Sequence, residues 1–323
     1  MKSNSNFFNI NRFAQFSWFL VAYNILVIVW GALVRASKSG DGCGSHWPLC
    51  NGETIPVAAT AKTLIEFSHR VTTGLDGILV VGLAAWAIVY FKNNKPIFYS
   101  ALLSLFFVLT EGAIGAFLVK FELVADNISL NRAILMSFHL VNTLILLFFL
   151  TANSWFASSF NTLKIDIGRS ILFGTSFLLV IIVGMSGAVS ALGNTLFPGH
   201  KMSEALAQPE VSSLLKAFVW LQLAHPFLSI LMSVYIIALA QRWRSALNNQ
   251  TTKLFANWTL AFVALQMFFG TLNLIFSAPI WMQLVHLFLA LLLWVGLILL
   301  ALSVLSEPNK AEATIENLAI QTA

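Results

Sequence analysis

Long apolar runs separated by short polar stretches make up almost the whole chain. A bilayer-spanning helix needs roughly 20 mainly apolar residues. Eight runs meet that length, over about 16–36, 65–91, 97–119, 129–152, 168–191, 213–241, 253–276 and 279–304. Within them the apolar positions are continuous rather than alternating, so they predict membrane helices and not half-buried strands. The expected fold is an all-α integral membrane protein with eight transmembrane helices, followed from Glu307 by a polar tail.

An even number of spans puts both ends on one side, and loop charge chooses the side. Lys92 and Lys95 fall in one short loop and Arg242 and Arg244 in another, both on the side of the N-terminus. The positive-inside rule then gives an N-in, C-in topology. The first run has no small-residue cleavage site after it and no Arg-rich transit peptide before it. It reads as a retained helix, and the chain as a protein of a bacterial cytoplasmic membrane.

The pattern also repeats. Gly31-Ala32-Leu33 in the first span matches Gly187-Ala188-Val189 in the fifth, and His69 in the second matches His225 in the sixth, both at an offset of 156. Glu111 and Gly115 in the third match Gln266 and Gly270 in the seventh at an offset of 155, and His139 in the fourth matches His286 in the eighth at 147. Two pseudo-symmetric four-helix bundles are expected, 1–160 and 161–306, with 307–323 as a cytoplasmic tail. An even number of spans per half makes the repeat parallel.

Composition sharpens the class. Of 323 residues 58% are hydrophobic and 10% charged, against about 25% charged in soluble domains. A soluble enzyme is excluded. The net charge of +5 belongs to individual loops and is no sign of nucleic-acid binding.

Four of the six histidines lie inside spans: His69, His139, His225 and His286, one in the first half of each even-numbered span. All four therefore fall in the outer leaflet half. Neutral imidazole ligates zinc, copper, nickel and haem iron. Two histidines per bundle, with little sulfur or carboxylate near them, suit a six-coordinate haem better than a tetrahedral zinc. The alternative for each is an interhelical hydrogen bond. Gly74, Gly77, Gly112, Gly115, Gly184 and Gly187 offer room for a flat macrocycle. Arg35 and Arg70, at the outer span ends, are candidate contacts for haem propionates, with interfacial anchoring as the alternative. His46 and His200 fall in outer loops and read as solvated.

Glu66 stands three residues before His69 and so shares its helix face. An ionisable residue in a span is a functional candidate; here the competing role is a salt bridge to Arg70 or Lys62. The two cysteines, Cys43 and Cys50, sit in the outer loop Gly40–Gly52. A structural disulfide and a redox-active thiol pair are both open.

Taken together, Gly31-Ala-Leu-Val-Arg35, the loop Trp47-Pro48-Leu49-Cys50-Asn51-Gly52, Glu66-Phe-Ser-His69-Arg70, His139, His225 and His286 resemble heme A synthase over nearly all eight spans. The resemblance implies oxidation of the C8 methyl of heme O to a formyl group, giving heme A for terminal oxidases. It implies heme O as substrate on His69 and His139, haem b as cofactor on His225 and His286, Glu66 as the catalytic group, and a Cys43–Cys50 disulfide. Implied partners are the heme O synthase, a terminal oxidase in assembly and an electron acceptor the sequence does not identify. The chain departs from the family at His46, where an acidic residue is usual, and at Glu111, where the family often has the glutamine seen at Gln266; it also lacks the second cysteine pair that some members carry, between Asn194 and Glu210. A b-type dihaem cytochrome and a haem transporter are the competing classes.

Overall fold

The computed structural model describes residues 3–57, 59–159, 162–164, 166–196 and 213–307. His200, most of the loop between the fifth and sixth spans, and the tail after Glu307 lie outside the described residues. The described chain forms α1 (Ser3–Ala36), α2 (Ala61–Tyr90), α3 (Lys95–Lys120), α4 (Leu130–Ser158), α5 (Ile167–Leu196), α6 (Ser213–Ala246), α7 (Gln250–Ile275) and α8 (Ile280–Leu305). Each contains a segment long and apolar enough to cross a membrane. This is a multi-pass membrane protein. A two-residue antiparallel pairing, β1 (Thr162–Leu163) with β2 (Ser306–Glu307), lies outside the spans and ties the α4–α5 connection to the end of α8.

Several helices begin at the polar residue their sequence supplies. Thr60, Asn94, Ser129 and Asn249 each accept a hydrogen bond from a backbone N–H of the first turn, which satisfies donors that no earlier turn can reach. The α4 helix runs six residues beyond the predicted end at 152, through Asn153 and Ser154. Both are fully buried, and their hydrogen bonds explain the extension. Ser17 Oγ donates to Asn153 Oδ1 at 2.9 Å; Asn153 Nδ2 donates to Ile97 O and Ser100 Oγ, each at 2.9 Å; Ser154 Oγ donates to Ser17 Oγ at 2.9 Å. These bonds join α1, α3 and α4 at the end of the molecule away from the cysteine loop.

Within the first half α1 packs on α2, α2 on α3, α3 on α4 and α4 on α1. The second half has the same order of neighbours, α5 to α6 to α7 to α8 and back to α5. In each ring the two histidine-bearing helices lie across from each other rather than side by side. The halves meet where α4 packs on α5 and α8, and α1 on α8 and α5. Trp294 Nε1 of α8 donates across this seam to Leu144 O of α4 at 2.9 Å. From Leu291 to Val304 nearly every residue of α8 is buried, as an all-round apolar helix requires. Ile78, Leu109, Phe227 and Leu231 of α2, α3 and α6 are exposed, and in a membrane they face lipid.

Candidate functional site

The cysteine loop folds down onto the start of α2. Cys43 and Cys50 form a disulfide and are both buried. Asn51 N donates to Cys43 O at 2.9 Å, and Cys50 forms a bridge with Glu53. Gly42 lies so close to α2 that an added Cβ would come within 2.5 Å of the Lys62 backbone, so only glycine fits. The loop is also anchored to the α3–α4 connection, outside the spans. There Lys38 Nζ donates to Asp126 at 2.5 Å, and that hydrogen bond holds the exposed Asp126 carboxyl below the usual carboxylate range.

Glu66 is the joint between loop and helix. Its Oε2 accepts from Cys43 N at 2.8 Å, and its Oε1 accepts from Arg70 Nη2 at 2.6 Å and Nε at 3.1 Å. Arg70 Nη1 in turn donates to His46 O at 2.7 Å and Leu49 O at 2.6 Å. The salt bridge weighed from the sequence is thus formed, with Arg70 and not Lys62, whose partner is Asp41. Glu66 is 3% exposed, and every bond it makes belongs to the loop or to Arg70.

The four histidines share one local geometry. At Gly31 of α1 an added Cβ would stand 3.0 Å from His69 Cε1; at Gly115 of α3, 3.9 Å from His139 Cε1; at Gly187 of α5, 2.8 Å from His225 Cε1; at Gly270 of α7, 3.1 Å from His286 Cε1. Each imidazole therefore lays its Cε1 edge on a glycine of the preceding helix. Gly184 does something else and packs against Leu140 and Leu144, while Gly74, Gly77 and Gly112 have open space where a Cβ would be.

Ring nitrogens remain available. Nδ1 of His69, His139 and His286 is buried with no hydrogen-bond partner. Ser186 Oγ lies 3.0 Å from His225 Nδ1, a partner that orients the ring and leaves Nε2 free for a ligand. Glu111 Oε1 lies 3.2 Å from His139 Nδ1, outside hydrogen-bond angle, and accepts from Thr143 Oγ1; its Oε2 accepts from Asn142 Nδ2 at 2.6 Å. At the matching place Gln266 Nε2 lies 3.2 Å from His286 Nε2. Among the described residues no three His, Cys, Asp or Glu side chains cluster as for a metal ion. Two imidazoles per half, with ring nitrogens not consumed by the protein, fit haem iron.

Arg35 crosses the seam. It donates to Ala191 O at 2.7 Å and Thr195 Oγ1 at 3.0 Å on α5, and to Gln283 Oε1 at 3.1 Å on α8. Sequence reasoning passes over two features: this cross-half clamp, and Asp76, which lies buried beside Asn24. Arg35 carries no sequence signal of its remote partners. Asp76 does carry one, as a lone carboxylate two turns beyond His69 in an apolar run.

The family model of COX15-CtaA, described as cytochrome oxidase assembly protein, matches residues 14–298. A Thermus thermophilus protein named Protoheme IX farnesyltransferase is 38% identical over 304 residues, 93% of this chain and 50% of its own length. A Bacillus cereus protein named Heme A synthase is 30% identical over 301 residues, 90% of this chain and 92% of that one. An Exiguobacterium sibiricum Heme A synthase is 30% identical over 228 residues, 70% and 73% of the two chains. The chain thus spans about half the length of the Thermus relative and most of the Bacillus one. With its eight spans and the family match running from the first to the last of them, the chain belongs to the COX15-CtaA family of cytochrome oxidase assembly proteins.

Proposed function

We propose that the chain is a heme A synthase, which oxidises the C8 methyl of heme O to a formyl group and so makes heme A for terminal oxidases. The observation that carries this reading is the set of four glycine-backed imidazoles, two on facing helices of each half. The relatives named Heme A synthase support it. An electron-carrying cytochrome would use the same histidines, and the joint that Glu66 makes with the loop would serve it too, so the haem product decides between the two.

In this reading His69 and His139 hold the substrate heme O, and His225 and His286 hold haem b. Haem b, when bound, supplies one-electron transfer toward an outside acceptor. The reaction removes four electrons and four protons from a methyl group and one water, passing through the alcohol and the hydrated aldehyde. Glu66, one turn from His69, is the acid–base group: its carboxylate takes a proton from attacking water or from the methyl carbon. Arg70 holds that carboxylate in place and, with Arg35, supplies positive charge for propionates at the same end of the bundle. The loop charges support an N-in, C-in orientation in a bacterial cytoplasmic membrane, with the cysteine loop and histidines toward the outer face. The Thermus relative, named for protoheme IX farnesylation, supports a heme O synthase as partner.

The test is to express the chain beside a heme O source, extract the haems and weigh them. Wild type should yield the formylated product. Glu66→Gln should keep its bound haems and lose formyl product by about 100-fold or more. Bound haem with no formyl product from wild type would reject the enzyme in favour of a cytochrome.

A further inference from the structure

Asp76 lies on α2 about 10 Å further along the helix axis than His69, and Asn24 lies on α1 the same distance from Gly31. Both are 3% exposed. Asn24 Nδ2 donates to Asp76 Oδ2 at 2.8 Å. The other oxygen of each side chain, Asn24 Oδ1 and Asp76 Oδ1, is buried and has no donor. Among the described residues no Lys, Arg or His pairs with Asp76. The titratable groups that act on it are Tyr23 of α1, whose hydroxyl donates to Thr72 O, and Glu111 of α3; neither brings positive charge.

An ionised carboxylate here would be an unpaired charge in mid-membrane, which is costly. A proton on Asp76 removes that charge and adds a donor where two acceptors lack one. The second half has no such polar pair. At the repeat offset of 156, Asn24 becomes Val180 and Asp76 becomes Met232; Met232 lies in the apolar core of the second half and Val180 packs against it.

We propose that Asp76, held by Asn24, is a proton-holding station found only in the first half. It rests as a neutral carboxylic acid, gives its proton to water on the side away from the cysteine loop, and is reprotonated by a proton released at the substrate site. The O–H bond that breaks is re-formed, so the station returns unchanged. The resting acid is a property of the fold; the traffic through it rests on the function proposed above.

The test uses the full chain in lipid nanodiscs, with infrared spectra in H2O and D2O beside heme A assays. Wild type should show a carboxylic-acid carbonyl band that shifts in D2O and is missing from Asp76→Asn, with haem content unchanged. The double variant Asn24→Val with Asp76→Met installs the pair that the second half already packs, and should lose the same band while staying folded. Both variants should make heme A about tenfold more slowly, a smaller loss than for a group acting directly on substrate. A spectrum unchanged by Asp76→Asn overturns the resting acid, and a wild-type rate in both variants overturns the proton traffic. If wild type makes no heme A, the function fails, while the infrared band still decides the resting acid.

Discussion

Gly187 and Gly115 occupy comparable places against histidines, yet they differ in tolerance. A Cβ at Gly187 would meet His225 Cε1 at 2.8 Å, nearer than side chains approach, whereas one at Gly115 would sit at 3.9 Å from His139 Cε1, an ordinary contact. Gly187→Ala should therefore turn the His225 ring, break its contact with Ser186 and destabilise the fold by about 1–3 kcal/mol. Gly115→Ala should fall within about 1 kcal/mol of wild type, because the helix gains propensity. Melting in detergent, followed with the visible haem spectrum, checks both; equal melting points would show that the close contact relaxes without cost. The sequence made these glycines visible through the internal repeat. It could not show that they press on the imidazoles, since that depends on the packing distance between neighbouring helices.

At the level of elements, the cysteine loop and the first turns of α2 behave as one piece. The loop gives Glu66 a backbone donor at Cys43, and α2 gives the loop Arg70, which closes on three of its carbonyls, at Gly44, His46 and Leu49. Replacing Cys43 and Cys50 with serine removes the crosslink across this short loop and should cost about 2 kcal/mol. Earlier proteolytic cutting in the loop, alongside a lower melting temperature, is the expected readout. Unchanged resistance would mean that Arg70 and Lys38 hold the loop without the disulfide. The eight spans themselves were readable from apolar runs alone. The last turns of α4 were not, because Asn153 and Ser154 look like the end of a span until their partners on α1 and α3 are in place.

The two halves are held as one molecule by contacts between residues far apart in the chain. Arg35 reaches Ala191 and Gln283, and a single sequence carries no mark of such pairs. Arg35→Met should leave Thr195 and Gln283 short of a donor and lower stability by about 2–3 kcal/mol. Arg35→Lys should recover little of it, since an ammonium cannot span that fork of acceptors. Unfolding followed by tryptophan fluorescence measures the loss, and full recovery with lysine would assign Arg35 a charge role only. The seam has a further consequence for how the protein is made. The apolar core of the first half includes Leu291, Trp294, Val295, Ile298, Leu299 and Leu302, all from α8. A ribosome delivers those side chains only after α1 to α7 have been made. The half proposed to carry the chemistry is thus completed by a helix of the other half, so synthesis through α8 precedes closure of its core.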